Sequence, residues 1–122
     1  MNWTLDKSRP ICNQICEIVC VAVANGEFSA GEKLLSVREL ALKTGVNPNT
    51  VQKSFEELER RGVIHSVRCS GWYVNENIDA AVEALESLRR KKTEGYLTAM
   101  MQLGCAPDEI VKYLNECQGG KQ

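Results

Sequence analysis

Histidine is almost missing from this chain, and with it most of the chemistry histidine supports. His65 stands alone, so no Ser/His/Asp set can be assembled around it. No glycine-rich phosphate loop and no His-Glu-x-x-His run occurs. These gaps point away from an enzyme, and neither a cofactor nor a metal is expected. Long apolar runs are missing too; none approaches the ~18–20 residues that cross a bilayer. The first residues, Met1-Asn2-Trp3-Thr4-Leu5-Asp6, lack the charged and apolar regions of a signal peptide. A cytoplasmic protein with no membrane partner is expected. A surplus of positive charge is also lacking: 15 basic and 16 acidic residues leave a net charge of −1. That balance counts against nucleic-acid binding unless the cations are placed well.

Cysteine, by contrast, is plentiful. Cys12, Cys16, Cys20, Cys69, Cys105 and Cys117 are many for 122 residues. Without a secretion signal, a disulfide framework is not expected. The first three recur every fourth residue and share one face of a helix. One reading is a thiol sensor or soft-metal site, completed by Cys105 or Cys117. The other is packing, with the thiols serving as small apolar groups against the C-terminal helices or a second subunit. Geometry favours packing. Sulfurs one turn apart lie ~6 Å from each other, too far for three of them to hold one ion at ~2.3 Å on a straight helix. Cys69, beside Arg68, is the candidate for an exposed and reactive thiol.

The hydrophobic periods set out the organisation. A chain of this length holds one compact domain, or a small domain with an appended element. Ile11, Ile15, Val19 and Val23 recur every four residues, with Ile18 and Ala22 beside them, after a Pro10 suited to a first turn. This predicts a helix over roughly 10–25, closed by Asn25-Gly26. Phe28 to Lys33 is rich in turn residues. Ser36-Val37-Arg38-Glu39 is a capping box, with Val37, Leu40 and Ala41 facing inward up to Gly45. Val46 staples the turn to the core. Asn47 and Pro48 then suit the cap and first position of another helix. Its buried stripe is Val51, Phe55 and Leu58, and it ends at Gly62. Beyond Gly62 the period becomes two. Val63–Val67 and Trp72–Val74 form a hairpin through Arg68-Cys69-Ser70-Gly71.

Two short helices joined by a tight glycine-containing turn, the second opening with small polar side chains, are how a helix-turn-helix presents a recognition helix to the major groove. Three helices followed by a hairpin make a winged helix-turn-helix. The local charge permits it: within 33–74 the cations are Lys33, Arg38, Lys43, Lys53, Arg60, Arg61 and Arg68. The anions are Glu39, Glu56, Glu57 and Glu59, three of them late in the second helix.

From Asn77 the helical period returns. Ile78, Val82, Leu85 and Leu88, then Tyr96, Met100 and Leu103, form one apolar stripe up to Gly104. Pro107 opens a last helix with Ile110, Val111 and Leu114 inward. The tail from Gln118 to Gln122 is expected to fray. A long apolar helix joined to a self-sufficient winged domain must bury its face somewhere, and dimerisation is the economical answer. The expected division is a winged helix-turn-helix over 1–75 and a helical dimerisation region over 76–122. The basic run from Arg89 to Lys92 reads as a solvated face that also suits flanking phosphates.

The chain resembles the GntR family of bacterial transcription regulators over residues 10–74. The residues carrying the likeness are Pro10-Ile11 with Gln14-Ile15, Gly26, Gly31, Leu34 to Ala41, Gly45 to Val51, Leu58-Glu59 with Gly62, and Gly71 with Tyr73-Val74. The short helical tail is similar to that of the YtrA-type subfamily. The resemblance implies a mainly α protein with a small β-hairpin that binds double-stranded operator DNA. Arg38 would touch phosphate or a guanine edge. Asn47, Asn49, Thr50 and Gln52 would face the groove, Lys53 would reach the backbone, and Arg68 would be the basic residue of the wing. It further implies a homodimeric repressor on a palindromic operator, often beside a transporter operon, relieved by a small-molecule effector or a modification. Three positions depart from the family pattern. Leu35 replaces a proline, Cys69 a wing-tip glycine, and Trp72 a small residue. Bulk at Cys69 and Trp72 is expected to hinder the wing in the groove. Two other functions remain open: a thiol- or metal-responsive regulator using Cys12, Cys16 and Cys20, and a protein-interaction module that has lost DNA binding.

Overall fold

The computed structural model describes residues 2–119. Its elements follow the hydrophobic periods closely. They are α1 (Ile11–Ala24), α2 (Val37–Thr44), α3 (Pro48–Arg60), β1 (Ile64–Val67), β2 (Gly71–Val74), α4 (Asp79–Gln102) and α5 (Pro107–Gly119). Of the expected frayed tail, Gln118 and Gly119 are helical, and residues 120–122 lie outside the described residues. The contacts divide the chain into two compact units, Met1–Glu86 and Ser87–Gln122.

The first unit is built around α3. Its Val51, Phe55 and Leu58 are fully buried, together with Ile15, Cys16, Val19 and Val23 of α1 and Leu40 of α2. Burying a side chain of this size favours folding by about 1.5–3 kcal/mol, so this cluster fixes the three helices against one another. Ile64 and Val74 close the core from the wing, where they pair directly in the antiparallel register Ile64↔Val74 to Val67↔Gly71. The segment before α2 is more than a turn. Gly31 N donates to Val74 O at 2.9 Å, Val74 N to Glu32 O at 2.8 Å, and Leu34 N to Trp72 O at 2.8 Å. The chain from 31 to 34 thus runs alongside β2, with a bridge between Lys33 and Tyr73. Three such bonds are too short a stretch to leave a period-two signature in the sequence.

The junction between the units lies later than residue 75. Ile78, Ala80, Ala81 and Ala84 pack on the first core, so the opening turns of α4 belong to the winged unit. Ile78 spends its surface inside the chain. In the second unit Ile110 is buried, but Val111 and Leu114 are 57% and 52% exposed. They do not face inward as their spacing suggests, because one chain supplies this unit with no second layer to cover them.

The cysteine ladder packs into the core of the first unit, beside α3. Cys16 and Cys20 are buried in the core, and the Cys16 thiol donates to Ser54 O at 3.5 Å. Burial pushes the Cys16 thiol up to about 12 and raises Cys20 as well. Both are therefore neutral at physiological pH, the opposite of what a thiolate site needs.

The wing also departs from expectation. Trp72 does not crowd the tip. Its ring is half-buried and meets Phe55 edge-on at 5.6 Å and 70°, so the bulk is spent on the core. The tip residue Cys69 is exposed and holds φ +63°. That left-handed conformation suits glycine and strains other residues, which accounts for the family preference at this position.

Three outcomes follow. Cys69→Gly leaves thermal stability level or raises it by up to about 1 kcal/mol, whereas Cys69→Val lowers it by about 1–2 kcal/mol in chemical denaturation. In native protein at pH 8, a disulfide reagent modifies Cys69 and Cys117 quickly and reaches Cys16 and Cys20 only on unfolding. Because the folded Cys16 pKa lies above its unfolded value, its contribution is intact below about pH 9 and is lost as pH climbs toward about 12; Cys16→Ala flattens that loss.

Candidate nucleic-acid interface

The pair α2 and α3 is assembled by local bonds that the sequence announces. Ser36 Oγ accepts from Glu39 N at 3.0 Å, and Ser36 N donates to Glu39 Oε1 at 3.1 Å. Leu35, which stands where the resemblance implies proline, packs its side chain on the core. The same bonds hold the Glu39 carboxyl below its ordinary range. Gly45 ends α2 in the left-handed conformation at φ +74°, its N donating to Ala41 O at 2.9 Å. A side chain there would strain the turn that sets the angle between the two helices. Thr44 Oγ1 bonds Leu40 O at 2.7 Å and accepts from Val46 N at 3.3 Å, while Val46 packs on the core.

Helix α3 begins at Pro48, with Asn47 as its cap: Asn47 Oδ1 accepts from Asn49 N at 2.8 Å. The carboxamide oxygen of Asn47 is thereby committed to the backbone, and only its NH2 is left to face outward. No acidic residue lies in the first turn, so the positive end of the helix is uncompensated and suited to an anion. Burying Val51, Ser54, Phe55 and Leu58 leaves the other faces outside. Asn49 and Lys53 are exposed, and Thr50 and Gln52 half-exposed. Gln52 Nε2 lies 3.4 Å from Glu56 Oε2, a bond long enough to yield to a base. Arg38, in the first turn of α2, and Arg68, at the wing turn, are also exposed.

Placement resolves the near-neutral charge. Among the described residues, Arg38, Lys53 and Arg68 make no ion pair, whereas Arg60 and Arg61 are both tied to Glu57. Hydrogen bonds from those two guanidinium groups hold the Glu57 carboxyl at about 2. Glu59 accepts from Ser66 N and Oγ at 3.0 and 3.1 Å, joining α3 to β1. Three of the four carboxylates of the segment are thus occupied with caps, arginines or the wing, and the cations at its front are free.

Sequence reasoning missed three positioning residues. Glu59 enters the sequence reading as a charge and as part of the GntR likeness, with no structural role. Asn75 bridges the wing base, its Nδ2 donating to Gly62 O at 2.7 Å and its Oδ1 lying 2.6 Å from His65 Nδ1. Gln14, on α1, is buried and bonds Asp6 N and O at 2.7 and 2.6 Å. A glutamine inside an apolar helix stripe was the visible signal for the last of these; nothing in the spacing marked the other two. Among the described residues, no three His, Cys, Asp or Glu side chains converge on a point that would hold a metal.

Comparison with known proteins agrees with this geometry. The family described as bacterial regulatory proteins, gntR family, matches residues 13–74. The HTH-type transcriptional regulator YhcF of Bacillus subtilis is 34% identical, over 92% of this chain and 93% of its own. The HTH-type transcriptional repressor YtrA of the same organism is 32% identical, over 94% and 92%. A GntR family transcriptional regulator from Listeria monocytogenes superposes with a TM-score of 0.82 at 35% identity, covering 92% of this chain and 98% of that one. The likeness to YtrA and YhcF extends through the helical tail. The chain belongs to the GntR family, on its YtrA-type branch, and is a DNA-binding transcription regulator of winged helix-turn-helix fold, not an enzyme.

Proposed function

We propose that this regulator is a homodimeric, cytoplasmic repressor that reads a palindromic operator, with α3 of each subunit in the major groove of one half-site. The observation that carries the reading is the front of α3: an uncompensated helix start with Asn49, Thr50, Gln52 and Lys53 facing outward, flanked by an unpaired Arg38. Arg38 pairs with a guanine edge or phosphate, Asn49 and Gln52 read adenine edges, Thr50 and Lys53 take phosphates, and Arg68 follows the backbone beside the wing. Asn47 serves chiefly to cap the helix and adds its NH2 to the same surface.

Dimerisation is supported by apolar surface that one chain leaves uncovered. Tyr96, Leu97, Met101, Leu103, Val111, Tyr113 and Leu114 are 37–81% exposed, more than an isolated helical pair keeps in water without a partner. The expected stripe enters this interface through Val82, Leu85, Leu88, Tyr96, Met100 and Leu103, while Ile78 is already used inside the chain. Two half-sites one helical turn apart match a two-fold dimer. Repression follows by occlusion of a promoter, a transporter operon being the target that family resemblance suggests. Release follows when an effector changes the relative placement of the two heads.

The test is retardation of the gene's own promoter region. Wild type binds, and binding falls steeply with salt by counterion release. Arg38→Ala weakens it about tenfold to a hundredfold, and Thr50→Ala about fivefold. A wild-type protein that leaves this DNA unretarded at low salt overturns the proposal.

A further inference from the structure

The nine described residues before α1 carry no periodic pattern, yet they are built into the fold. Trp3 and Leu5 pack against the core. Gln14 is 4% exposed and spends its whole carboxamide on this segment. Its Oε1 accepts from Asp6 N at 2.7 Å, and its Nε2 donates to Asp6 O at 2.6 Å and to Arg9 O at 3.1 Å. Asp6 also closes a turn, its Oδ1 accepting from Ser8 N at 3.0 Å and Ser8 Oγ at 2.6 Å, and pairs with Arg9 at 3.4 Å. The residue left at the apex is Lys7. It is exposed and has no ion-pair partner among the described residues, since the one nearby carboxylate is engaged by Arg9.

Leu5 and Lys7 line a cleft of about 270 Å³ together with Gly45, Val46, Asn47 and Thr50, the turn into α3 and its first turn. Lys7 and the uncompensated first turn of a 13-residue helix therefore border one space. Both favour the same ligand, an anion, and Thr50 adds a hydroxyl donor. We infer that the N-terminal turn is part of the DNA interface, and that Lys7 binds a backbone phosphate of the operator that α3 enters beside. Gln14 is the positioning residue that holds the turn in place. The inference rests on the reading of α3 as the recognition helix. It adds a clamp from outside the helix-turn-helix and explains why a buried glutamine stands on the apolar face of α1.

The experiment is a salt titration of binding to the promoter duplex by wild type, Lys7→Gln and Lys7→Arg, with Lys112→Gln on α5 as a charge-matched control. One lost phosphate contact reduces the slope of log affinity against log salt by about 0.9. Lys7→Gln is expected to show that reduction and about fivefold weaker binding at 0.15 M salt, equally on operator and unrelated DNA. Lys7→Arg restores both values, and Lys112→Gln leaves the slope unchanged. Gln14→Ala, checked for an intact fold by circular dichroism, reproduces the slope change without removing a charge. An unchanged slope for Lys7→Gln overturns the inference, as does a loss confined to the operator, which would mark a base contact. A wild type that binds no DNA removes the reading of α3 itself; a wild type that binds while Lys7→Gln matches it removes the Lys7 clamp alone.

Discussion

Helix α3 must satisfy two demands along 13 residues. Val51, Phe55 and Leu58 are spaced to bury one face against α1, and that burial holds the domain together. The same spacing forces Asn49, Gln52 and Lys53 outward. The rotation of the helix about its axis is therefore set by its core residues, and the surface offered to DNA is what remains. Everything else in the winged unit adjusts to this constraint. The Gly45 turn brings α2 against it, Trp72 stacks its edge on Phe55, and Glu59 ties it to the wing through Ser66. A change that rotates α3 by a fraction of a turn would misplace every residue proposed to contact DNA at once.

The charge pattern obeys the same economy. A net charge of −1 gives a DNA-binding protein little overall attraction, yet the carboxylates of the α2–α3 segment are mostly engaged within the fold. Glu57 pairs with two arginines at the rear of α3, Glu39 completes a helix cap, and Glu59 accepts from the wing. The cations at the front keep their field. In the proposed complex, long-range attraction to DNA is modest and local placement decides binding.

The fold was legible where local rules and tertiary packing agree. The capping box at Ser36, the Asn47-Pro48 start and the glycine at 45 each act through neighbours in sequence, so their bonds appear as read. What depends on distant partners was harder to see. The pairing of residues 31–34 with β2, the packing of the cysteine ladder on α3 and the inward turn of Trp72 all involve contacts across many residues. Apolar spacing alone cannot say which face a tryptophan takes in a hairpin. Val111 and Leu114 show the opposite limit: their period is helical, but a period does not supply a layer to cover them. At the interface, residue types and positions were legible, while the commitment of Asn47 Oδ1 to its own backbone and the role of the N-terminal turn were not.

Sequence reading is proposed to lie in the short exposed front of α3, presented twice by a dimer. Selection of bound duplexes from random DNA by the purified protein addresses this directly. The expected result is an enriched inverted repeat whose half-sites lie about 10 base pairs apart, centre to centre, and whose information concentrates at a few adjacent positions in each half. Enrichment of no sequence, or of a single half-site without its mirror copy, would contradict it.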